Sequence, residues 1–235
     1  MALAPDDGQS FLREVDENLR RDRARDFFKK YGSWLIGAVV LFLAAVAGWL
    51  YWEEQQKTKA AQESEVLAQV YTDIGAGNLK AAPGQLDGLA SSGRPVVRAS
   101  ALFTRAALAL QQNDRATAVA SYARIESDSD LPEAYRDLAK VRGTALQFDT
   151  LKPEQIIARM QPYTTAGNPW FGSAGELTAM ALLKQGKKAE AGRMFAAIAR
   201  DRGVPATIRS RAVQIAGTLG VDASASMPSI EQQGR

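Results

Sequence analysis

The 235-residue chain contains no cysteine and no histidine. The first absence excludes disulfides, so the fold stands on packing alone even in an oxidising compartment. Together they exclude thiolate or imidazole metal sites, haem ligation through histidine, and nucleophilic catalysis of the Cys-His or Ser-His-Asp kind. Only carboxylate, lysine, tyrosine or serine chemistry stays open. Aromatics make up 8% of the chain and do not alternate with Lys and Arg, and the net charge is only +3. With no polybasic run beyond the N-terminal flank, nucleic-acid binding is not expected. β-Branched residues are sparse, while Ala is abundant and Leu, Arg, Gln and Glu are prominent. That composition favours helix throughout, and an all-α fold is expected.

What the chain does have is an uncharged run from Trp34 to Trp52. At about 1.5 Å of rise per residue, nineteen residues roughly span a ~30 Å hydrocarbon core. Tyr31 and Trp34 stand at one edge, Trp49, Tyr51 and Trp52 at the other, where a bilayer interface favours amphipathic rings. A buried core helix of this length would carry a polar stripe, and this run has none.

The N-terminal flank carries Arg13, Arg20, Arg21, Arg23, Arg25, Lys29 and Lys30. Beyond the span come Glu53 and Glu54, with only Lys57 and Lys59 nearby. Lys and Arg near a span stay on the cytoplasmic side, so the C-terminal region is expected to be exported. Ala45-Val46-Ala47 before Gly48 looks like a small-x-small cleavage site. The preceding segment is far longer than an ordinary n-region, however, and the apolar run continues to Trp52. The expectation is an uncleaved signal anchor; a mature chain starting at Gly48 would overturn it.

Residues 1–33 are expected to be cytoplasmic, with 1–9 a disordered lead. Ser10 offers a fair helix cap, followed by Phe11, Leu12, Val15 and Leu19 at helical spacing. Two readings of this charged amphipathic helix stay open: a juxtamembrane helix at the headgroups, or a docking helix for a cytosolic partner.

Residues 53–219 hold a repeat. Leu102, Ala106, Ala109, Asn113, Ala118, Tyr122 and Ile125 meet Gly175, Ala179, Leu182, Gly186, Ala191, Phe195 and Ile198 when shifted by 73 residues. Small residues let two helices lie close, and Asn or Gly can take the left-handed conformation at the turn between them. Half of that shift predicts turns at Gly77-Asn78 and near 149, where Phe148 to Pro153 reads as a turn opening a helix with Ile156, Ile157 and Met160 on its apolar face. Four hairpins follow: 58–75 with 79–91, 95–112 with 114–126, 132–147 with 153–161, and 169–185 with 187–201. A last helix at 205–219, with Arg209 and Arg211 outward, is expected to cap the stack. Pro95, Pro132, Pro153, Pro169 and Pro205 all lie near helix starts. Glu53 to Gln69 contains neither Gly nor Pro, so the span's helix is expected to run on into the first hairpin. Residues 220–235 read as a disordered tail.

Small residues in the first helix, Asn113 or Gly186 at the turn, then Ala118 and Tyr122 or Ala191 and Phe195 in the second, resemble a tetratricopeptide repeat. The usual Trp, Leu-Gly and Tyr of the first helix are missing, and the spacing is slightly long. The whole arrangement is similar to something narrower. Val15-Asp16-Glu17-Asn18-Leu19-Arg20-Arg21, then Arg25-Asp26-Phe27-Phe28-Lys29-Lys30-Tyr31-Gly32, a single span and divergent repeats resemble the bacterial ancillary SecYEG translocon subunit family. That resemblance implies an inner-membrane protein with a periplasmic repeat domain, associated with the secretion channel and with periplasmic folding factors or exported clients. An envelope scaffold in cell division or outer-membrane assembly, using the same groove, is the alternative.

Repeats of this kind bind partners in the groove lined by the first helix of each hairpin. Placing every turn at a common index puts Tyr71, Phe103, Leu110, Arg136, Met180 and Leu183 towards that groove, unless the apolar ones pack internally. Trp170-Phe171 is either a partner anchor or an inter-repeat plug. The carboxylates Glu63 and Glu65, Asp128 and Asp130, and Asp149 with Glu154 read as solvated charges, and Asp128-Ser129-Asp130 lacks the rest of a calcium loop. The expectation is a binding protein and not an enzyme, with no cofactor, metal or small-molecule substrate, and with membrane lipid around the span.

Overall fold

The computed structural model describes the backbone of residues 7–227 and the side chains of residues 29–227. The described residues are all helical or looped, with no strand. They form nine α-helices: α1 (Asp7–Gly75), α2 (Ala82–Leu89), α3 (Pro95–Gln111), α4 (Arg115–Glu126), α5 (Glu133–Leu146), α6 (Pro153–Met160), α7 (Phe171–Lys184), α8 (Lys188–Arg200) and α9 (Ala206–Thr218). Single 3-10 turns occupy Gln161–Tyr163 and Ser224–Ser226. The chain divides into two compact units, residues up to Gln62 and residues from Glu63.

In the first unit, α1 begins at Asp7 and not at Ser10, so residues 7–9 of the expected lead are helical. Residues 1–6 lie outside the described residues. From Lys29 onward, α1 is the one described helix long and apolar enough to cross a membrane, with a mean hydropathy of 2.2 over its most apolar window and none of that window buried. Trp34 is 81% exposed and Leu41 72%, so a wholly apolar surface is left without a protein partner among the described residues.

The second unit is the stack of hairpins. Pro95 and Pro153 open α3 and α6, where a missing N–H costs nothing, and Pro132 and Pro205 precede α5 and α9. α4 is capped by Asp114, whose side chain accepts from the Thr117 N–H at 3.0 Å. Three of the four intra-hairpin turns close the same way. Gly77, Asn113 and Gly186 have φ of 80°, 58° and 77°. The next N–H then donates back to the helix: Asn78 to Asp73 O at 2.8 Å, Asp114 to Ala109 O at 2.8 Å and Lys187 to Leu182 O at 3.0 Å. The third turn differs. Six residues, Gln147 to Lys152, join α5 to α6, and none has a positive φ.

The repeat positions are where the helices touch. Leu102, Ala106, Ala109, Ala118, Tyr122 and Ile125 are all buried, as are Ala179, Leu182, Ala191, Phe195 and Ile198. Gly175 shows why size matters: a Cβ there would stand 2.9 Å from Ile198 Cδ1. In α5 the close approach is made by Gly143, whose Cβ would meet Tyr122 Cβ at 3.3 Å. Three apolar clusters result, one centred on Leu86, Leu102 and Ile125, one on Val141, Ile156 and Met160, one on Phe195 and Ile198. Burying each such Leu, Ile or Phe stabilises by about 1.5–3 kcal/mol.

Polar side chains brace the helices and the links between them. Arg98 Nε donates to Asp128 Oδ2 at 2.6 Å, which holds the Asp128 carboxyl below its usual pKa. Arg159 bridges Glu126 at 2.7 Å and Thr144 at 2.9 Å. Tyr163 O–H donates to Asp137 at 2.6 Å, and burial, then this bond, pushes the Tyr163 hydroxyl well above its usual pKa.

The expected tail is partly ordered. Val221 fills the space that Gly192 leaves open, Ala223 is 5% exposed, and the tail turns again at Ser224–Ser226. Residues 228–235 lie outside the described residues. Arg209 and Arg211 are not both simply outward. Arg211 reaches back to Glu176 on α7, and Arg209 is half-buried with its Nε unpaired.

Candidate interaction groove

The first helices of the last two hairpins, α5 and α7, together with α9, border an open cavity of about 570 Å³. Its apolar lining is Val141, Ala145 and Phe148 of the α5 side, Leu177 and Met180 of α7, and Ile215 of α9, over Phe195 of α8. Successive helices present matching positions at a spacing of 35 residues: Val141, Glu176 and Arg211 form one row, Ala145, Met180 and Ile215 another. Phe148 is held in place by Lys184, whose Nζ lies 4.2 Å from the ring centroid and donates to the Phe148 carbonyl at 3.0 Å.

The polar members are Arg142, Ser173, Glu176 and Arg211. Arg211 donates from Nε and Nη2 to the two oxygens of Glu176 at 2.8 and 2.6 Å. That fork raises the Arg211 pKa, through the hydrogen bond first and the Glu176 charge second. Arg142 is exposed and has no ion-pair partner among the described residues. The cavity lining holds one carboxylate, Glu176, and it is already taken by Arg211.

The six residues expected at the groove separate. Met180 lines the cavity and is 43% exposed. Leu183, on the same helix, is half-buried against the Phe195 cluster. Tyr71 and Leu110 are exposed at 49% and 40%, and Tyr71 accepts a long bond from Thr104 at 3.4 Å. Phe103 turns into the first cluster, its ring 6.1 Å from Tyr122 and 6.4 Å from Tyr135. Arg136 is half-buried near the start of α5, outside the cavity lining. The common index missed Arg142, Phe148, Glu176 and Arg211; Val141, Glu176 and Arg211 are unlike in type, so no recurring residue marks their row in the sequence.

The other candidates are structural. Phe171 is 2% exposed and Trp170 packs on the Ile156 cluster, so the pair plugs the core. Asp128 is spent on Arg98, and Glu63 accepts from Ser92 Oγ at 2.6 Å. Glu154 accepts from Gln185 at 2.7 Å, and Asp149 pairs with Lys184 at 3.5 Å. Among the described residues no three acidic side chains gather as metal ligands.

With the hairpins and their groove established, comparison with known proteins places the fold. The tetratricopeptide repeat-like domain family matches residues 25–215. The chain belongs to that family. Its fold is that of a protein-interaction module, and the match takes in the apolar stretch of α1 as well as the hairpins. No curated protein and no solved structure matches the chain.

Proposed function

We propose that this protein is a single-pass, inner-membrane-anchored interaction module, an accessory subunit of the Sec translocon that links protein export to periplasmic chaperones. The observation that carries the reading is one chain joining an apolar, unpartnered helix surface to a repeat domain with an open groove. The Lys and Arg of the N-terminal flank support a cytoplasmic N-terminus, and the groove would then work on the exported side. The sequence likeness to the ancillary SecYEG subunit family names the partners: the channel for the span and cytoplasmic segment, folding factors or exported clients for the groove. An interaction role needs neither cofactor nor catalysis, in keeping with a groove whose only carboxylate is neutralised.

Crosslinking in the native bacterial membrane followed by pull-down tests the reading. Channel subunits and periplasmic folding factors are the expected co-purifying proteins. Recovery without either, together with enrichment at the division septum, would replace the translocon role with that of an envelope scaffold.

A further inference from the structure

The charge balance of the α5/α7/α9 cavity goes beyond the presence of a groove and bears on what fills it. Seven apolar side chains make a floor and walls large enough for a ligand of peptide-side-chain size. Two guanidinium groups and one carboxylate stand among them. Glu176 gives both oxygens to Arg211, so these two charges cancel within the wall. Arg142 remains as a surplus positive charge with no acidic partner among the described residues. An apolar segment docking here would strip water from that guanidinium and leave it unpaired, and a basic segment would meet a like charge. A segment bringing its own carboxylate would satisfy Arg142 as it buries the apolar wall, because a planar guanidinium fork matches a carboxylate with two parallel bonds.

We propose that this cavity captures a peptide segment of a partner protein in which a large aliphatic or aromatic side chain lies next to an acidic residue, the apolar group resting on Phe148, Met180 and Ile215 and the carboxylate on Arg142. The inference rests on the interaction-module reading and adds the chemistry of the bound segment. Glu176 sharpens the choice: by occupying Arg211 it confines the free positive charge to the α5 side, so the acidic residue and the apolar residue have one relative orientation along the groove.

Random octapeptides displayed on phage, selected against the full-length chain in lipid nanodiscs and counter-selected on empty nanodiscs, test the proposal. Asp or Glu adjacent to Leu, Ile, Met or Phe is expected to be enriched at least tenfold over the input library. Arg142→Gln should remove the acidic preference and keep the apolar one, Arg142→Glu should replace it with Lys or Arg, and Met180→Asp should abolish enrichment. Circular dichroism of each variant establishes that the helices are retained; should Arg142→Glu lose them, Arg142→Gln alone decides. Enrichment of apolar peptides without an acidic residue, sensitive to Met180→Asp but not to Arg142, would overturn the proposal and leave the groove as a docking site. Absence of any enrichment, or the same acidic motif on Arg142→Glu, would overturn it as well, whereas failure of the translocon reading shows separately in the membrane pull-down.

Discussion

The α3/α4 hairpin and the α7/α8 hairpin share one pattern and use it differently. Their packing residues superpose at a shift of 73, from Leu102 and Gly175 to Ile125 and Ile198. Phe103 and Glu176 are equivalent under that shift, yet Phe103 turns inward onto Tyr122 and Tyr135 while Glu176 lines the cavity in a fork with Arg211. At this position one helix packs an aromatic ring inward, and the other presents a carboxylate paired across to α9. The buried positions are shared between the two hairpins; the residue at 103 and 176 is where they part.

The largest test strikes the part the two hairpins share. Phe195 is 1% exposed and forms both the core of α7/α8 and the base of the cavity. Phe195→Ala should cost about 3–5 kcal/mol. Thermal unfolding of the full chain in detergent should show the transition lowered or lost. A shift no larger than that of a surface substitution would mean that the cavity wall is not part of the cooperative core.

Next in size is the joint between the α3/α4 hairpin and the segment leading to α5. Arg98→Met leaves the Asp128 carboxylate, with a side chain only 15% exposed, without its cation. The expected loss is about 1–3 kcal/mol. The joint also carries a pH signature. Asp128 has its folded pKa depressed below the ordinary 3.8 by Arg98, so the stability it contributes is fully present above that ordinary value and is lost as pH falls through the folded pKa. Wild-type stability should therefore fall below about pH 4, and the fall should be shallower in Asp128→Asn. Equal acid slopes for the two proteins would remove the pair from the account.

Much of this fold is legible in the sequence because its determinants are local. A left-handed turn residue, a small residue at a crossing and a proline at a helix start each leave a residue-level mark, and Gly77, Asn113 and Gly186 all sit at the expected turns. The groove was legible only in part. Its index assumed that all four turns are alike, and the link from Gln147 to Lys152, which has no positive φ, breaks that assumption. Arg136, expected at the groove, lies outside the cavity lining, to which α5 contributes Arg142. Phe103 was lost for another reason: amphipathic spacing says that a ring lies near a boundary, and only the tertiary neighbours Tyr122 and Tyr135 draw it inward. The tail was misjudged because the space for Val221 is made by Gly192, nearly thirty residues earlier.

A smaller effect compares the two turns. Gly186→Ala places a Cβ on a residue with φ of 77° and should cost about 1–2 kcal/mol. Asn113 already tolerates φ of 58°, so Asn113→Gly should change stability by no more than a few tenths of a kcal/mol. Comparable losses at both sites in chemical denaturation would mean that Asn113 makes contacts beyond its backbone conformation.

The last comparison bears most directly on the closed and open faces, and it sets a moderate loss against a near-zero one. Phe103→Ala removes a half-buried ring packed on two tyrosines and should cost about 2 kcal/mol, short of a fully buried phenylalanine. Met180 is 43% exposed on the cavity wall, and Met180→Ala should stay within about 0.5 kcal/mol, as for a surface site. The expected asymmetry follows from where each side chain spends its apolar area: Phe103 has buried its own in the folded chain, whereas Met180 keeps its area in water until a partner covers it. Thermal shifts of equal size would place Met180 in the core and close the groove, and a Phe103 shift as small as that of Met180 would mean that the first half offers an apolar face of its own.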